Sequence, residues 1–133
     1  MSEIELRVYY EDTDSGGVVY YANYLKFIER GRTEYLRELG FEQDWLIENK
    51  NVIFAVKSLS AKYHYPARFN EQILVQTHVE KIRQASLIFS QKILSLKQNK
   101  VLFSSQVTVA CLNAKTFKPC AIPTMILEAV NEQ

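Results

Sequence analysis

Apolar residues stand at alternate positions at the start of the chain, Ile4, Leu6, Val8 and Tyr10, the two-residue period of a strand with one buried face. From Asn23 to Leu39 the period lengthens. Tyr24, Leu25, Ile28, Arg32, Tyr35, Leu36 and Leu39 recur at three- and four-residue steps, with Lys26, Glu29, Arg30, Arg37 and Glu38 filling much of the other face. That spacing predicts an amphipathic helix. Asn23 is the N-cap candidate and Gly40 the residue just past the end, where left-handed backbone favours glycine. Gly31 inside the helix costs roughly 1 kcal/mol relative to alanine. It is read as a point of close packing against a sheet, with approach to a ligand as the alternative.

A short second helix is expected over Glu42 to Asn49, with Trp45 and Leu46 turned inward. The rest reads as strand. Val52 to Tyr65 is a long apolar and tyrosine-rich run ended by Pro66, and Ile73, Val75, Thr77 and Val79 alternate with polar neighbours. Ala85 to Leu96 is another run, and Val101 to Cys111 alternates throughout. Arg68-Phe69-Asn70, Lys81 to Gln84 and Lys97 to Lys100 supply the turns. Pro119 and Pro123 mark an irregular tail. One helix and about five strands joined by short connections predict an α+β fold, a long helix wrapped by a curled, mostly antiparallel sheet. Residues 1–133 read as one domain.

Composition narrows the function classes. The chain is 47% hydrophobic and 23% charged, with a net charge of +1. This is globular composition, without the basic field of a nucleic-acid binder. No signal peptide and no run of about 20 apolar residues is visible. Cys111 and Cys120 lack metal-type or redox-type spacing and are expected to be reduced thiols in a cytoplasmic protein.

The chemistry concentrates in Tyr9 to Tyr24, where three acids (Glu11, Asp12, Asp14) precede Ser15-Gly16-Gly17 and the helix start. Paired glycines let another molecule approach the backbone. A carboxylate beside them, ahead of a helix start, combines a base with free N–H donors. Asp12-x-Asp14-x-Gly16-Gly17 begins like a calcium loop, but its fifth place is Gly16 and its twelfth is Asn23 where a glutamate is required. No metal is expected. Taken alone, either aspartate could be a turn former bonded to its own backbone. His64 and His78 are isolated within strand-like text, and neither a serine-nucleophile elbow nor a phosphate loop is present.

The run Val8 to Tyr24, followed by Phe27-Ile28-Glu29-Arg30-Gly31-Arg32-Thr33-Glu34, closely resembles the hotdog-fold acyl-CoA thioesterases of the 4-hydroxybenzoyl-CoA thioesterase type. It is most similar to the bacterial subgroup associated with the Tol-Pal system. Tyr63-His64-Tyr65-Pro66-Ala67-Arg68, Arg83 to Phe89 and Lys118 to Pro123 extend the resemblance over nearly the whole chain. It implies a hotdog fold and a homodimer or homotetramer with sites between subunits. It further implies Asp14 as the catalytic carboxylate, and the Tyr21 backbone N–H as the group that polarises the thioester carbonyl. The Tol-Pal subgroup commonly carries histidine where this chain has Tyr21; a backbone role survives that swap.

The implied substrate is an acyl thioester, either of coenzyme A or of an acyl-carrier protein, and no cofactor is implied. Asp14 could attack the carbonyl or activate water. Gly16, Gly17 and Val18 are candidates for lining the acyl path, and Lys62, Arg83 and Lys118 for the phosphates. Glu29 could orient the loop or pair with a base. The rival reading is a non-catalytic acyl-carrier sensor or envelope-complex partner. A dehydratase would need a histidine in the loop before the helix, and none is there.

Overall fold

A computed structural model describes all residues 1–133. The elements are β1 (Ser2–Arg7), a 3₁₀ turn (Tyr10–Asp12), α1 (Asn23–Glu38), α2 (Gln43–Lys50), β2 (Val52–Tyr63), β3 (Gln72–Ile82), β4 (Ser86–Ser95), β5 (Lys100–Asn113) and α3 (Thr124–Asn131). The five strands form one sheet in the order β1-β3-β4-β5-β2, with every neighbouring pair antiparallel. It is not closed, so β1 and β2 are its edges.

The two-residue period sorts the sheet's faces. Ile73, Val75 and Thr77 on β3, Leu87, Phe89, Gln91 and Ile93 on β4, and Phe103, Ser105, Val107, Val109 and Cys111 on β5 are all buried. α1 lies over this face with Tyr24, Phe27, Ile28, Gly31, Tyr35 and Leu36 turned into it. Phe27 takes the place expected of Leu25, which is 37% exposed. A helix advances about 100° per residue, so 24, 27, 28 and 31 share a stripe that 25 leaves.

Gly31 sits where helix and sheet come closest. A Cβ there would lie 2.7 Å from Thr77 Oγ1, 2.8 Å from Val75 Cγ1 and 3.0 Å from Gln91 Nε2. Gln91 bridges the layers, donating to the Ile28 carbonyl (2.8 Å) and Thr77 Oγ1 (2.9 Å) while accepting from Arg32 Nη1 (3.0 Å). Gly31 is therefore a packing glycine. Helix α1 closes as anticipated, with Gly40 at φ +97°. Phe41 N–H donates to the Leu36 carbonyl and Gly40 N–H to that of Arg37, the two bonds of a Schellman motif.

Three expectations need correction. Asn23 does not cap α1; the cap position is Ala22, and the Asn23 side chain reaches back to donate to the Asp12 carbonyl at 2.9 Å. Of the pair expected to turn inward on α2, Leu46 is buried at 1% exposure but Trp45 is 43% exposed, because an eight-residue helix against a sheet edge has room to bury only a narrow stripe. The tail is not wholly irregular: Pro123 stands at the cap of α3, whose Ile126 and Val130 enter the core. Proline fits a helix start, where its missing N–H costs nothing.

Candidate active site

A tight hairpin follows the 3₁₀ turn. Asp14 N–H donates to the Val18 carbonyl (2.9 Å) and Gly17 N–H to the Asp14 carbonyl (3.1 Å). Gly17 has φ +78°, a backbone state that L side chains rarely adopt. The hairpin is stitched to the segment between β2 and β3, with Val19 N–H donating to the Ala67 carbonyl (2.8 Å) and Phe69 N–H to that of Gly17 (3.2 Å). Gly16, Gly17 and Val18 thus form the outward rim between Asp14 and Arg68, Val18 bridging Arg68 directly.

The two aspartates divide the work. Asp12 is consumed by structure: its Oδ2 accepts the Tyr9 N–H at 2.8 Å, and its carbonyl accepts the Tyr20 N–H at 3.0 Å. Asp14 is exposed, and only its Oδ1 is engaged, by the Gly16 N–H at 2.8 Å. Its second carboxylate oxygen has no partner in the chain. Just beyond, Asn23 N–H bonds the Tyr20 carbonyl and Leu25 N–H bonds that of Ala22, whereas the N–H groups of Tyr21 and Ala22 have no acceptor. These are orphan donors of a helix start, where the backbone partial charge is positive.

A cleft of about 290 Å³ opens at that helix start, lined by Val19, Tyr21, Tyr24, Tyr63, His64, Tyr65 and Pro66. Asp14 is not among its lining residues. Tyr24 fastens the wall, its buried hydroxyl accepting the Ala67 N–H at 2.9 Å and its ring stacking on Phe103 at 5.2 Å. Burial raises the Tyr24 and Tyr63 hydroxyl pKa values, so both stay neutral donors at ordinary pH. His64 Nε2 is 2.9 Å from Ser104 Oγ. A second cavity, about 340 Å³, lies farther along α1 against β2, β4 and β5, with Glu29 and Arg32 among its walls. Burial lowers the Arg32 pKa and the nearby Glu29 charge opposes that shift.

Lys62 is exposed on β2 beside Tyr63, near the helix start. Arg83 and Lys118 are exposed too, but far from the helix start. β3 leaves the loop at Gln72 and runs eleven residues to Ile82, roughly 35 Å at 3.3 Å per residue, and Arg83 turns the chain at its far end. Lys118 lies at that same end, its carbonyl accepting the Asn113 N–H at 2.8 Å. Arg68 and Tyr63 neighbour the loop instead, and sequence reading had not singled them out for it. The Tyr63-His64-Tyr65-Pro66 text was a signal for this wall, but only the fold sets it against Tyr21.

Residues 8–130 match the model of the thioesterase-like superfamily. The chain belongs to that family. This thioesterase is 42% identical over 124 residues to the acyl-CoA thioesterase YbgC of Haemophilus influenzae, spanning 93% of this chain and 90% of that protein. It is 35% identical to the YbgC protein of Helicobacter pylori strain 26695, with 94% and 96% covered. A probable thioesterase from Bartonella henselae superposes with a TM-score of 0.86 at 33% identity, covering 92% of this chain and 98% of that one. The architecture is the hotdog fold that the resemblance implied, and the protein is a thioester hydrolase. No helix of the chain is long and apolar enough to cross a membrane.

The loop's anchorage makes a stability prediction. Glu71 is 6% exposed and gathers the segment beside the hairpin, its carboxylate accepting from Ser95 Oγ (2.6 Å), Arg68 N–H (2.6 Å) and Gln98 Nε2 (3.0 Å). Burial pushes its pKa up, but the Ser95, Gln98 and Arg68 bonds and the Lys97 charge outweigh burial and leave it below the ordinary value. A depressed carboxylate contributes stability above the unfolded pKa of about 4.3, and the contribution fades as pH falls through the lower folded value. Glu71→Gln is expected to lose about 1–3 kcal/mol at neutral pH and to respond less to acid below pH ~4. Urea unfolding across pH measures both.

Proposed function

We propose that this thioesterase hydrolyses small or medium acyl-CoA, or the same acyl groups on a carrier protein, with Asp14 as nucleophile or general base. The carrying observation is the pairing of a carboxylate oxygen without a partner on Asp14 with the unfilled N–H groups of Tyr21 and Ala22, one hairpin apart. A thiol leaving group ionises near pH ~8.5 and needs no strong acid. The demands are a nucleophile and a place for negative charge on the carbonyl oxygen. Asp14 serves the first by attacking carbon, expelling thiolate and leaving an anhydride that water opens, or by taking a proton from the attacking water. The Tyr21 and Ala22 amides serve the second. Gly16, Gly17 and Val18 border the acyl path.

A second copy completes the site. β2 is a twelve-residue edge strand on which Val56 (53%) and Leu59 (41%) are exposed, the kind of open ladder that a partner strand covers. Antiparallel pairing of β2 with its symmetry mate sets the Tyr63 end of one copy against the Val52 end of the other. That end is where α2, Arg83 and Lys118 are found, so the partner supplies the phosphate contacts that one chain holds too far away; Lys62 adds a third cation. The active species is therefore a homodimer or a pair of dimers. Two thiols 3.7 Å apart and unlinked, Cys111 and Cys120, suit a reducing cytoplasm.

Free-thiol release from acetyl- to palmitoyl-CoA, benzoyl-CoA and an acyl-carrier protein tests the reading. Turnover of at least one substrate is expected. Silence across the panel would point instead to a binding module.

A further inference from the structure

We infer that Tyr63 is a positioning residue, aiming and polarising the Ala22 N–H as a donor to the thioester oxygen. The inference rests on the reading above. Tyr63 Oη donates to the Tyr21 carbonyl at 2.9 Å, across 42 residues of sequence. That carbonyl and the Ala22 N–H are the two ends of one planar trans peptide group. A bond that fixes one end fixes the direction of the other, and the other, like the Tyr21 N–H, has no acceptor in the chain. The bond also acts electronically. A donor on a peptide carbonyl draws density from its nitrogen, making the N–H a stronger donor by about 10–30%.

The tyrosine is itself held. Its ring centroid lies 5.2 Å from that of Tyr24, 5.0 Å from Phe103 and 6.4 Å from Tyr21, all edge-on. The backbone beyond it is pinned where β5 bulges. Ile93 pairs with Phe103 and Leu94 with Val101, leaving Leu102 extra, and its carbonyl accepts the N–H groups of both His64 and Tyr65. A bulge re-aims the chain beside it. Here it ends β2 with Tyr63 directed at the helix start. No other side chain bonds the 21–22 peptide, so without Tyr63 its plane would depend on helix α1 alone.

Tyr63→Phe keeps the ring and deletes the bond. The expected result is a fall in kcat on the order of 10-fold, with KM within two-fold and an unchanged melting temperature. Isotope-edited infrared spectra separate this role from a packing one. In an Asp14→Asn background, slowed enough to hold substrate while spectra are recorded, the ¹³C=O band of the fastest panel substrate should shift to lower frequency on binding. Adding Tyr63→Phe should move that band back toward its free position. An unchanged kcat, or a band indifferent to Tyr63, overturns the inference while leaving the amide reading in place. A band that never shifts, even with Tyr63 intact, removes the amide reading itself. Should the phenylalanine variant fold poorly, 4-aminophenylalanine at 63 restores an N–H donor. Recovery of kcat supports the inference, and failure to recover in a folded protein overturns it.

Discussion

Asp14→Asn is expected to slow thioester hydrolysis by about 10²–10⁴-fold, the usual worth of a positioned acid or base. The substitution is close to isosteric, and the asparagine oxygen can still accept the Gly16 N–H that Asp14 Oδ1 accepts at 2.8 Å. Loop geometry and melting temperature should therefore stay as they are, so that the lost rate reports the missing charge. Thiol release under saturating acyl-CoA is the measurement. Activity equal to the parent would remove Asp14 from the mechanism without removing the thioesterase. The parent enzyme also separates the two forms of the mechanism. A single turnover in ¹⁸O-water labels the Asp14 carboxylate if an anhydride forms and water opens it at the side-chain carbonyl. It labels only the released acid if Asp14 acts as base.

The second large effect falls on stability. Gly31→Val puts a branched side chain where even a Cβ would meet Thr77 Oγ1, Val75 Cγ1 and Gln91 Nε2 at 2.7–3.0 Å. These neighbours are the buried centre of the sheet, with Val75 and Thr77 at 0% exposure and Gln91 at 1%. None can swing into solvent, so α1 must lift. Overpacking of this kind costs about 1–3 kcal/mol, which for a chain of 133 residues lowers Tm by roughly 4–11 °C. Lifting α1 also moves the Tyr21 and Ala22 amides, so kcat measured well below Tm should fall. A variant as stable as the parent would show that helix and sheet have slack the packing denies.

Much of this was legible beforehand because the signals are local. Strand alternation, the α1 stripe and Gly40 each rest on neighbours within a few residues, and their outcomes follow. The errors share the opposite character. Asn23 has the side chain of a cap, yet it reaches back eleven residues to Asp12, a partner that only the returning hairpin supplies. Trp45 is apolar enough to be buried, but whether it is depends on how much sheet α2 covers. α3 was hidden because Pro119 and Pro123 read as loop, although proline also suits a helix start.

The site divides along the same line. Asp14, Gly16 and Gly17 stand out in sequence because they lie in the Asp-x-Asp-x-x-Gly-x-Val-x-Tyr run that carries the family resemblance. Nothing along the chain says that Asp12 is spent on backbone while Asp14 keeps an oxygen free. The chain order likewise does not say that Tyr63 meets Tyr21 or that Arg83 and Lys118 lie a strand's length away.

Sequence alone therefore determined the main helix, the five strands and the family, because periodicity, turn residues and a short motif act over distances the chain spans locally. Tertiary structure decided which donors are left unfilled, what holds them in place, and how far the cations stand from them. Those are properties of contacts between residues dozens of positions apart, and no local pattern encodes them.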